Sequence, residues 1–138
     1  MPIECGVDIV CVNGLSFKRY LDILVLMNKH AVVITDNDHS IEDSITRKYK
    51  DYDSGLISFF YETNEDLNTF EPSILNANSI DDKAKSLFKS IIQCEDKTDK
   101  EAIGFMQKNK TEWALRVFNS KDKIIYPQYI KDAIKKLG

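Results

Sequence analysis

Residues 7–38 read VDIVCVNGLSFKRYLDILVLMNKHAVVITDND, and the fold turns on how this stretch is divided. Residues 7–12 are a β-branched run closed by Asn13-Gly14, a turn signal. Ser16 reads as the N-cap of a helix in which Phe17, Tyr20, Leu21, Leu24 and Val25 fall on one apolar stripe. His30 and Ala31 lead into residues 32–35 (VVIT), an apolar strand of the kind buried in parallel sheets, which stops at the acidic turn Asp36-Asn37-Asp38. Strand, helix and strand in so short a span predict a βαβ unit with a right-handed crossover.

Outward from that unit, residues 39–54 are polar, with no apolar period beyond Ile41 and Ile45, and read as a short helix or a loop. Residues 56–62 (LISFFYE) are a third strand candidate between Gly55 and the acidic Asn64-Glu65-Asp66. From Leu67 the chain reads as helical over 67–77, 80–93, 98–108, 110–118 and 127–137, with Asp81 and Thr98 as caps, Pro127 opening the last helix and Gly138 ending it. The fold class is therefore α/β: a small parallel sheet of about three strands, followed by a mainly helical C-terminal half.

The chain has 138 residues, within the usual size of one domain of about 100–150 residues. It divides into a βαβ core with its acidic turn (1–66) and a helical, basic part (67–138). Hydrophobic residues make up 43% and charged residues 30%, which excludes disordered and fibrous classes. No stretch approaches the roughly 20 apolar residues of a membrane span. The N-terminal residues carry an acid, Glu4, and no Lys or Arg, so no secretory signal and a cytoplasmic setting are expected. Cys5, Cys11 and Cys94 form no CxxC pair, and His30 and His39 are the only imidazoles, which argues against disulfides and zinc and for buried reduced thiols. The net charge of −3 hides a segregation: residues 31–82 sum to −9 and residues 97–138 to +5. A carboxylate cluster beside a polyanion-binding surface fits that pattern, and so does a set of solvated faces.

Asp36 and Asp38 carry the most chemistry. They follow the C-terminal end of an apolar strand, where open α/β sheets bind ligands, and two carboxylates one residue apart can converge on a hard cation such as Mg2+ or Mn2+. Acids in that position also fill turns. Thr69 and Glu71 offer a hydroxyl and a carboxylate after the third strand, or else the cap and first turn of a helix. Lys110, at the head of KTEWAL, can neutralise charge on a phosphodiester, or is a solvated charge; Trp113 with Leu115 and Val117 reads as core packing.

The run from Val7 to Asp38 resembles the second and third strands of a TOPRIM (topoisomerase–primase) domain, in the version found in OLD (overcoming lysogenization defect) family ATP-dependent endonucleases. Gly14 matches the glycine that ends one strand, and Asp36 and Asp38 match the metal-binding DxD that ends the next. NTFE places Thr69 and Glu71 on the family's Thr/Ser-x-Glu pair, Lys110 matches its catalytic lysine, and the closing YPQYIKDAIKKL resembles the usual C-terminus. The family opens with a strand ending in Glu-Gly, well upstream of that glycine; Glu4-Cys5-Gly6 lies too close to Gly14 to hold it. No GxxxxGK phosphate loop of the ATPase half occurs either.

The resemblance implies an N-terminally truncated TOPRIM domain, the C-terminal nuclease portion of an endonuclease. The complete enzyme would cleave DNA phosphodiesters with two Mg2+ or Mn2+ ions, using Asp36, Asp38, Thr69 and Glu71 as metal ligands and Lys110 in catalysis. The basic helices after residue 97 would meet the DNA backbone. An ATPase half or a separate chain would supply the missing glutamate, the isolated chain would be slow or inactive, and an uncovered sheet edge would favour homo-oligomers. The alternative is a non-catalytic α/β interaction or regulatory domain that binds protein or nucleic acid, with Asp36 and Asp38 as turn residues. A DxD nucleotide-sugar transferase is a weaker third reading, since the chain is short for one.

Overall fold

A computed structural model describes residues 6–12, 17–52 and 55–138. Glu4, Cys5, the Asn13-Gly14 turn and the Ser16 cap lie outside the described residues. Helix α1 (Phe17–Leu26) leads to strand β1 (Ala31–Ile34). A π-helical turn (Glu42–Arg47) and a 3-10 turn (Lys50–Tyr52) then carry the chain to strand β2 (Ile57–Phe60). Five helices follow: α2 (Phe70–Ala77), α3 (Asp82–Ile91), α4 (Asp99–Lys108), α5 (Lys110–Asn119) and α6 (Gln128–Leu137). Among the described residues, no helix is long and apolar enough to cross a membrane.

The fold is α/β with a small parallel sheet and a mainly helical second half. β1 and β2 pair in parallel, Ala31 opposite Ile57 and Ile34 opposite Phe60. The crossover joining them is residues 35–56, so the parallel unit falls one step later in the chain than expected. The described sheet has two strands, not three. Residues 7–12 form no strand, because a β-branched run needs a ladder partner and none of the backbone bonds among the described residues ties this segment to β1. Ile9 is 75% exposed and Val10 61%. Cys11 is exposed with them, against the expectation of a buried thiol, whereas Cys94 is buried.

Among the described residues, two hydrophobic clusters hold the fold together. One face of the sheet, with Val33, Ile57 and Phe59, packs on Leu21 and Phe17 of α1 and on Ile45, Tyr49 and Tyr52 of the crossover. The Tyr49 ring stacks on Phe59 with centroids 4.7 Å apart, and the Tyr52 hydroxyl donates to Asp22 Oδ1 at 2.7 Å, tying α1 to the crossover. The second cluster joins α2 to α5 through Ile74, Leu75, Phe88, Ile92, Met106 and Trp113. Trp113 is core, as expected, but Leu115 is 54% exposed: residues two apart on a helix cannot share its inner face.

The helical half follows its local signals. The Asp81 carboxylate accepts from Ala84 N at 2.7 Å, and Thr98 and Glu101 form a reciprocal capping box. Lys85 and Lys89 of α3 both bind the Asp99 carboxylate at the start of α4, at 2.5 and 2.8 Å, and hold it below the usual carboxylate range. α6 returns to pack against both strands. Its approach is set by Asn78, whose side-chain amide pairs with the peptide of Ile125: Nδ2 donates to the carbonyl at 2.7 Å and Oδ1 accepts from the N–H at 2.8 Å.

Candidate functional site

The chain leaves β1 through Thr35 and enters Asp36-Asn37-Asp38 beyond the C-terminal end of the sheet. Asn37 is fully buried, and every polar atom of its side chain is used. Its Nδ2 donates to the carbonyls of Glu62 at 2.7 Å and Asn64 at 3.1 Å, and its Oδ1 accepts from His39 N at 3.1 Å. The turn after β1 is thereby fixed to the loop after β2. Glu65 adds a second tie, its Oε1 accepting from Ile41 N at 2.8 Å. With Asn37 anchored inward, Asp36 and Asp38 line an open cleft of about 700 Å3. Asp38 and His39 have left-handed backbones, φ 48° and 66°, a region that Asp and His enter more readily than most side chains.

α2 brings up Thr69 and Glu71. Glu71 is buried, and Lys110 at the head of α5 places its Nζ 3.4 Å from Glu71 Oε1. A buried carboxylate without a cation would be costly, so this contact explains how Glu71 can sit there. Thr69 occupies the N-cap position of α2 with extended backbone, yet its hydroxyl makes no capping bond. Its Oγ1 is buried and has no partner among the described residues.

These groups sense one another. The Asp36 carboxyl is pushed above its ordinary pKa by burial first, then by the charges of Glu71 and Asp38, while Lys110 and the Phe70 amide work the other way. Tyr129 of α6 faces the same cleft, and its phenol is pushed up by burial, then by Asp36 and Glu62. Asp36, Asp38, Glu71 and Lys110 are thus brought into one electrostatic neighbourhood from three separate parts of the chain, with Thr69 on the helix that carries Glu71.

Comparison with protein-family models, curated proteins and solved structures returns no match.

The donor set is all oxygen, which suits Mg2+ or Mn2+ over softer metals. Among the described residues, no three His, Cys, Asp or Glu side chains are gathered closely enough to hold a metal ion by themselves. Mg2+ sites commonly use one or two carboxylates, with water and substrate phosphate completing the shell. Asp36 and Asp38 fit that pattern, whereas Glu71 is engaged by Lys110.

Four residues that the sequence did not single out belong to this region: Asn37, Tyr129, Lys18 and Lys48. Asn37 was hidden between the two acids it orients. Tyr129 lay in an amphipathic helix, where an aromatic reads as packing. Lys18 and Lys48 line the cleft from α1 and the crossover, and no local spacing relates them to Asp36.

Proposed function

We propose that this chain carries the carboxylate site of a metal-dependent DNA endonuclease of the OLD type, on a TOPRIM-like sheet. Asp36 and Asp38 would hold a divalent cation, with Thr69 and Glu71 as the further oxygen donors. A bound Mg2+ or Mn2+ would activate water and offset charge at the phosphate. Lys110 balances Glu71 while its exposed ammonium meets the incoming phosphodiester. The basic surface of α4 to α6 contacts the DNA backbone, and exposed apolar side chains such as Leu26 and Phe118 favour association of copies.

The observation that carries this reading is the pair Asp36 and Asp38 beyond the C-terminal end of a parallel strand, both lining a cleft, with the Asp36 pKa raised by burial first and then by the charges of Glu71 and Asp38. Like charges placed together against their own repulsion are characteristic of sites that bind a cation. Calorimetric titration with Mn2+ tests it. The wild type should bind and Asp38→Asn should not; Asn tolerates the left-handed backbone, so the variant keeps the turn. A wild type that takes up no Mn2+ would overturn the reading.

A second reading, a non-catalytic interaction domain, draws on that same backbone: Asp is suited to a left-handed turn whatever its carboxylate does. Under it, Asp38→Asn leaves ion binding and partner binding alike unaltered.

A further inference from the structure

The cleft beside Asp36 and Asp38 has a second chemistry. Lys18, in the first turn of α1, and Lys48, in the crossover, line it together with the two carboxylates. The Lys18 backbone is tied to the crossover, and the Lys48 side chain lies against an aromatic ring. The Tyr52 hydroxyl donates to the Lys18 carbonyl at 3.3 Å, and the Lys48 ammonium sits 5.2 Å from the centre of the Tyr49 ring, itself stacked on Phe59. The same cleft is also lined by apolar side chains, Ile34, Phe70 and Ile130 among them, and by Thr35 and Tyr129.

A complementary ligand needs anionic groups for the two lysines and a planar apolar part for the apolar lining. A nucleotide has both, and where a cation is bound its phosphate could also reach the carboxylates. The volume of about 700 Å3 falls among small-ligand sites, roughly 300–1,000 Å3, and is too small for a duplex. We propose that this cleft seats an unpaired nucleotide of a DNA strand, with Lys18 and Lys48 on its phosphates and its base against Ile34, Phe70 and Ile130. The inference rests on the nuclease reading for the identity of the strand, but the seat needs no metal. It assigns the cleft to single strands and leaves the basic face of α4 to α6 to backbone contacts of either form.

Fluorescence anisotropy in the presence of EDTA tests it, with a labelled short oligothymidylate and a duplex of the same length titrated at several KCl concentrations. The wild type should prefer the single strand. Lys18→Gln with Lys48→Gln should weaken single-strand binding on the order of tenfold and reduce the slope of log affinity against log salt by about 1.4, roughly 0.7 for each phosphate no longer neutralised. Lys135→Gln with Lys136→Gln, at the far end of α6, should weaken both forms together. An unchanged single-strand slope in the first variant would overturn the proposal, as would a wild type that binds duplex equally well. So would thymidine monophosphate competing at strand-like concentrations, since the seat would then belong to free nucleotides. Because EDTA removes divalent ions, failure here leaves the Mn2+ titration of Asp38→Asn to judge the carboxylate site separately.

Discussion

Asp36, Asn37 and Asp38 divide two tasks among three residues. The amide in the middle is spent on structure, and the carboxylates on either side line the cleft. The sequence showed the two acids and the strand before them, and the resemblance supplied a role. It could not show that Asn37 fastens this turn to the carbonyls of Glu62 and Asn64, because hydrogen bonds across 25 and 27 residues leave no local pattern. Asp36 is held against its own preference. It keeps its proton to higher pH when folded than when unfolded, so the folded state loses ground as pH rises through that raised pKa. At neutral pH and without divalent ions, Asp36→Asn should therefore raise thermal stability, by on the order of 1 kcal/mol, while removing Mn2+ binding. Thermal melts in chelator check the first part, and the gain should vanish in acid, where the wild-type carboxyl is already neutral.

At the scale of elements, legibility follows how local the causes are. The caps at Asp81 and Thr98 were readable because a side chain bonds its own helix three residues on, and α3 and α4 formed where those signals lie. The strand expected at 7–12 failed for the opposite reason, since a strand exists only with a neighbour and the sequence does not name one. The crossover was legible only coarsely, as a short helix or a loop whose Ile41 and Ile45 do pack on the sheet cluster: a π-helical turn has no 3.6-residue stripe, and its exposed Arg47 reaches Glu42 and Asp43. The placement of α6 hangs on one side chain. Asn78→Ala would leave the N–H and carbonyl of Ile125 without partners, and should cost about 1–3 kcal/mol in urea denaturation. It should also shift the NMR resonances of Tyr129 across the cleft, while those of Thr98 stay in place.

Across the whole molecule, the two hydrophobic clusters are nearly separate in sequence, one drawn from residues 17–61 and the other from residues 70–124. The candidate site lies where they meet, with Asp36 and Asp38 from the first and Glu71 and Lys110 from elements of the second. Phe88 is fully buried in the helical cluster, and Phe88→Ala should cost about 3–5 kcal/mol, a large part of the roughly 5–15 kcal/mol that stabilises a domain. Trp113, the single tryptophan, reports on that cluster alone, while far-ultraviolet dichroism reports on both. Coincident urea transitions by the two probes in this variant would mark one cooperative unit; a fluorescence change that precedes the dichroism would show the clusters melting apart.

The return of α6 to the sheet also sets an order of events during synthesis. A ribosome adds about 5–20 residues per second, so β1 and β2 emerge well before the helix that packs on them. A nascent chain halted ahead of Gln128 would already carry the paired aspartates, but not the Tyr129 and Ile130 side of their cleft. The seat between the aspartates and the lysines is complete only once translation has passed α6, which makes it a late product of a fold that begins at its other end.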